Sequence, residues 1–199
     1  MTEPERPGTP VEEELSGRLL LASPALSDPS FAGSVVLVLD ADESGALGVV
    51  VNRPTDIEVA SVLPAWASAV GEPATVFRGG PVAPENALAL GLLATVPSPE
   101  DPEPPGWRGV RAGLGLVDLD VAPELLLGSL AALRVFAGYA GWGPGQLEGE
   151  LALDAWIVID ALPGDPFSPH PEQLWRSVLR RQPGRTSLLS TWVADPTLN

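Results

Sequence analysis

The 199-residue chain contains no cysteine and no lysine, and only one histidine, His170. Without cysteine there is no thiol nucleophile, disulfide, redox switch or thiolate metal site. Without lysine there is no Schiff-base chemistry, no anchor for pyridoxal phosphate and no phosphate-binding P-loop lysine. All eleven basic residues are arginine. One histidine cannot build a His-rich metal site, and a Ser-His-Asp triad would rest on it alone. His170 lies between Pro169 and Pro171, just ahead of a helical pattern, where no positioned partner is signalled. It reads as an exposed loop residue. Long hydrophobic runs are missing too. "SVVLVL" and "LGVVV" are strand-sized and far short of a membrane span. No cationic start precedes an apolar run, so no signal peptide is expected, and the reading is a cytoplasmic protein.

What is present is acid. Twenty-six carboxylates give a net charge of −15. A field of that sign repels phosphate backbones and disfavours nucleic-acid binding by the surface as a whole. One local exception is Arg176, Arg180, Arg181 and Arg185. These form either a small basic patch, a weak direct nucleic-acid binder, or a solvated helix end that complements the helix dipole. No helix-turn-helix or zinc-finger spacing accompanies them.

The length suits one domain. Residues 1–14, proline-rich and acidic, read as a disordered tail, leaving 15–199 as a single domain. Within it, 97–106 is an acidic, proline-dense surface loop. Strands are expected at "GRLLLASP", "SVVLVLD", "ALGVVVN", "ATVFRGG", "NALALGLL", "LGLVDLD", "RVFAGYAG" and "AWIVID". The second and third form an antiparallel hairpin across "ADESG", and Pro54 ends the third. Helices are expected at "DIEVASVLPAW", "APELLLGSLAAL" and "PEQLWRSVLRRQ", with a short helix or turn at "GQLEGELALD" and a turn or two at "TSLLSTWV". Strands and helices do not alternate strictly. The pattern is α+β with a mixed, mostly antiparallel sheet.

Three stretches carry the candidate site. Asn52 and Arg53 offer donors to a carboxylate or phosphate; equally, Asn52 can fix a turn and Arg53 can pair with a nearby acid. Arg78, Gly79 and Gly80 form either an anion nest or a tight turn fixed by Pro81. In "FAGYAGWGPGQLEGE", Tyr139 and Trp142 are pocket walls with Gln146 and Glu148 as polar anchors, or the whole stretch is a packed corner.

The combination of "GALGVVVNRP", "RGGPV" and "GYAGWGPGQLE" resembles the AlgH/YqgE family of bacterial proteins, in order and over nearly everything from Gly17 to Trp192. The resemblance implies a bifurcated or barrel-like sheet flanked by helices. It implies little chemistry: the family is largely uncharacterised, and its label as transcriptional regulators derives from genetic association. This chain departs from the pattern. Ala41 stands where many relatives have histidine, Leu39 where they often have cysteine, and Ala89 to Gly91 where a second histidine is common.

The functional expectation is a non-enzymatic regulatory protein, with no cofactor or metal, acting through a protein partner or a small anionic ligand. Its pocket would join Asn52, Arg53, Arg78, Gly79, Gly80, Tyr139, Trp142, Gln146 and Glu148. The rival is a metal-independent enzyme whose carboxylates include Glu148 or Asp28.

Overall fold

The computed structural model describes residues 15–98, 100 and 102–192. The tail expected at 1–14 lies outside them, as do two residues of the 97–106 loop. The strands are β1 (Arg18–Ala22), β2 (Val35–Asp42), β3 (Gly45–Val50), β4 (Pro54–Glu58), β5 (Thr75–Arg78), β6 (Val82–Leu93), β7 (Trp107–Arg111), β8 (Leu114–Val117), β9 (Leu130–Trp142) and β10 (Trp156–Asp160). The α-helices are α1 (Val59–Val62), α2 (Gln146–Ala152), α3 (Pro171–Arg180) and α4 (Arg185–Leu188). No helix among the described residues is long and apolar enough to cross a membrane.

The sheet runs β10-β1-β2-β3-β9-β6-β8-β7 and is antiparallel throughout that path. Strand β9 is the spine. Its end pairs with β3 and the rest of it with β6, while β5 joins it in parallel at Phe77 and Phe136 and carries β4 on its far side. The sheet therefore divides at β9. It also curls into a half-barrel: Arg108 of β7 reaches Asp40 of β2 at 3.6 Å, although four strands separate β2 from β7 in the sheet order.

The continuous apolar runs are explained by burial on both faces. Leu19, Leu21, Val35, Leu37, Val49 and Val51 face a core closed by Leu174, Trp175, Val178 and Leu179 of α3. Their neighbours Leu20, Ala22, Val36, Val38 and Val50 face a second core with Trp142, Leu147 and Trp156. Each such buried aliphatic side chain contributes about 1.5–3 kcal/mol.

Three expectations are corrected. The helix over "APELLLGSLAAL" is two 3-10 turns, Pro123–Leu125 and Leu127–Ser129, followed by β9. Leu130, Ala132 and Leu133 pair with Leu93, Leu92 and Gly91 of β6, and that ladder overrides the helical preference of Ala and Leu. The helix expected near Asp56 begins at Val59, because Pro54–Glu58 pairs with β5. Pro54 thus opens an edge strand, where its missing N–H is tolerated. The β2–β3 link is Glu43 and Ser44 alone, since pairing continues out to Asp42 and Gly45 and the Asp42 carboxylate accepts the Ser44 N–H at 2.8 Å.

Candidate functional site

Chain segment 28–34, "DPSFAGS", is the hub of the site. Asn52 and Arg53 leave β3 and reach back to it. The Asn52 side-chain oxygen accepts the Val35 N–H at 2.9 Å, and its amide donates to the Gly33 carbonyl at 3.0 Å. The Arg53 guanidinium donates to the carbonyls of Ser30 and Ala32, at 2.6 and 3.0 Å. Those two carbonyls flank Phe31. Asp28 turns the start of the segment by accepting the Ser30 N–H at 2.7 Å.

Arg78 stands opposite Arg53 at the end of the β4–β5 ladder, its N–H donating to the Arg53 carbonyl at 2.8 Å. Arg53 is half-buried, and Arg78 is exposed. Burial lowers the Arg53 pKa, the like charge of Arg78 lowers it further, and Asp28 partly opposes both. No carboxylate pairs with the Arg78 side chain among the described residues.

Gly79 and Gly80 pass directly over β9. The Gly79 N–H donates to the Ala137 carbonyl at 2.9 Å, so it is already engaged. Tyr139 lies opposite Val82 on β9, half-buried, with its ring beside Gly141. The structure thus brings Asn52, Arg53, Arg78, Gly79, Gly80 and the Tyr139 backbone to one junction.

Trp142 and Gln146 fall on the other side of the hub, in an aromatic corner joined to it by Phe31. The Phe31 ring stacks on Trp142 at 6.1 Å and meets the edge of Trp156 at 5.5 Å. Glu148 points outward and is exposed. The acid that organises this corner is Glu150, which accepts from the Trp142 indole at 3.0 Å, the Trp156 indole at 2.7 Å and the Gln146 amide at 3.0 Å. Gln146 in turn accepts the Gly143 N–H at 3.1 Å. The two glutamates are two residues apart on a helix and so diverge; sequence spacing did not say which of them turns inward. Glu150→Ala leaves two buried indole N–H groups without an acceptor and should cost about 2 kcal/mol. Glu150→Gln, which keeps an accepting oxygen, should cost less than half of that. Urea denaturation of both variants, with near-ultraviolet circular dichroism to read the tryptophans, checks the order.

The C-terminal arginines divide. Arg181 makes a bidentate pair with the buried Asp165, both contacts at 2.6 Å. Arg176 donates to the carbonyls of Ser190 and Trp192, at 3.1 and 3.2 Å. Arg180 and Arg185 are exposed. His170 is exposed and lies 4.0 Å from Glu172. Among the described residues, no three His, Cys, Asp or Glu side chains stand together as a metal site. Leu39 is buried in the first core and Ala41 packs against the second.

The chain matches the family model described as AlgH-like (DUF179) over residues 19–187. It is 54% identical over 185 residues to a UPF0301 protein of Streptomyces avermitilis, covering 93% of this chain and 95% of that one. It is 45% identical over 184 residues to a UPF0301 protein of Mycobacterium tuberculosis, covering 92% and 90%. Among solved structures, a Corynebacterium diphtheriae protein superposes with a TM-score of 0.82 at 30% identity, covering 96% of this chain and 95% of that one. The solution structure of the AlgH protein from Pseudomonas aeruginosa superposes with a TM-score of 0.65 at 27% identity, covering 94% and 98%. By that match and those identities, the chain belongs to the AlgH-like family.

Proposed function

We propose that this is a non-enzymatic regulatory protein that takes a small anionic ligand, a carboxylate or phosphate, at Arg53 and Arg78. The observation that carries the reading is the placement of two arginines opposite each other in a chain of net charge −15, with no acid paired to Arg78 among the described residues. Like charges directly opposite across a ladder are destabilising. An anion held between the two guanidiniums turns that cost into charge-assisted hydrogen bonds. Tyr139, Gly79 and Gly80 form the neighbouring surface, while Asn52 holds the Phe31 segment in place. Trp142 and Gln146, with Glu150, belong to the response rather than to the contact, and the exposed Glu148 belongs to neither. Because Arg53 also holds the carbonyls on either side of Phe31, a ligand that draws on its guanidinium bears on the aromatic corner. A partner protein would read that change.

Thermal unfolding in low salt with pyrophosphate or citrate as probe tests this. At a hundredfold excess over Kd, a ligand specific for the folded state stabilises by about 2.7 kcal/mol, several degrees in Tm. The wild type should show that rise and Arg78→Gln should not. Without probe, Arg78→Gln should be more stable by about 0.2–1 kcal/mol, because the like-charge pair is gone. Equal shifts in both proteins, or none in the wild type, would overturn the reading.

A further inference from the structure

A cavity of about 370 Å³ opens on another side of the same hub, between the β1–β2 connection, the start of α3 and the C-terminal turn. Its volume lies in the range of small-molecule sites. Leu26, Trp175 and Trp192 supply apolar walls, and Ser23, Glu172 and Arg176 supply the polar groups. Two observations give it a chemical character. First, Glu172 and Arg176 are four residues apart on α3, which places an acid and a base side by side on one helix face. Arg176 directs two of its nitrogens at the Ser190 and Trp192 carbonyls, and a guanidinium with five donors has N–H groups left over. Last, two indoles border the space: Trp175 is fixed by its N–H to the Ala22 carbonyl at 2.9 Å, and Trp192 is 41% exposed.

We propose that this cavity binds a small aromatic zwitterion, with its ring between the indoles, its acid on Arg176 and its ammonium on Glu172. Glu172 opposes a plain anion and Arg176 opposes a plain cation, so only a head group with both charges suits the pair. The site is separate from the Arg53–Arg78 junction, with which it shares only the Ala32–Gly33 wall.

The test is calorimetric titration of the full chain with three probes that share one ring: L-phenylalanine, 3-phenylpropionate and phenethylamine. Tryptophan fluorescence reports occupancy beside Trp175 and Trp192. L-Phenylalanine should bind about tenfold or more tightly than either single-charge probe, the worth of one added charge-assisted contact. Ala32→Trp, at the exposed rim of the cavity, should abolish binding with the fold intact by circular dichroism. Arg78→Gln should leave it unchanged. No binding of any probe, equal binding of all three, or loss of L-phenylalanine binding in Arg78→Gln would each overturn the proposal. So would binding that survives Ala32→Trp.

Discussion

Replacing Arg134 by methionine should destabilise the protein by about 2–3 kcal/mol, a fall in Tm of about 5–10 °C for a chain of this size. Arg134 is on β9 and only 1% exposed. Its guanidinium donates to the carbonyls of Pro166 and Ser168, both at 3.1 Å, and of Glu72 at 2.9 Å, and it lies 4.2 Å above the Phe77 ring. It is thus the tie between β9 and two distant loops. None of these partners is a carboxylate. Burial pushes the Arg134 pKa down to about 10, so the group is still charged at neutral pH. Because the depressed group is a cation, the charged form is the one that folding penalises. That penalty is fully present below about pH 10 and is relieved only above it. Three charge-assisted bonds and the ring contact offset it. Methionine keeps the apolar stem over Phe77 but leaves three carbonyls without a donor, at about 1 kcal/mol each, less the relief of the buried charge. Arg134→Lys keeps the charge without the planar fork and should lose nearly as much. Guanidinium denaturation of both variants decides. If Arg134→Met matches the wild type, the carbonyls find other donors and the arginine is no tie.

How legible this was in the sequence depends on whether the signal was local. Strands β1, β2, β3 and β10 announce themselves by apolar runs, and helix α3 by Leu174, Trp175, Val178 and Leu179 falling on one face. The start of β9 does not, because "LLLGSLAAL" has helical composition and becomes strand only through its long-range ladder to β6. Strand β7 gives no signal either. Of its five residues only Trp107 is buried, so nothing alternates. The glycine-aromatic stretch was recognisable as a built feature, yet its organising acid is Glu150, not Glu148. The sequence offers Asn52 and Arg53 as donors to an anion or as a turn-fixing amide and an acid-paired guanidinium, and in the structure both donate to backbone carbonyls. What they anchor, the carbonyls around Phe31, lies about twenty residues back and could not be read from spacing. Arg134 is invisible for the same reason: an arginine among apolar residues shows its burial only once the loops that carry its acceptors are in place.

Gly79→Ala should destabilise the protein by about 3–4 kcal/mol. A methyl group there would stand 2.2 Å from the Gly138 carbonyl oxygen, 2.9 Å from the Val49 side chain and 3.1 Å from the Phe136 Cβ. Overpacking a core usually costs about 1–3 kcal/mol because side chains yield. Here the nearest atom is backbone of the central strand, and Gly79 cannot retreat from it. Its N–H is bonded to the Ala137 carbonyl at 2.9 Å, and its own carbonyl accepts the Val50 N–H at 2.7 Å. Shifting the residue weakens both bonds, one to each of the strands between which it is wedged, and so loosens the point where the sheet divides. Gly143→Ala is the matched control. It also belongs to a glycine-rich stretch, but an added Cβ there meets nothing within 4 Å. It should change stability by no more than about 0.5 kcal/mol. A paired measurement of urea midpoints therefore separates two meanings of glycine in one sequence. A large gap between the variants makes "RGGPV" a crossing point whose shape the Arg53–Arg78 pair inherits. Equal costs would mean that the strands part easily there, and that the two arginines are not held in register by the backbone.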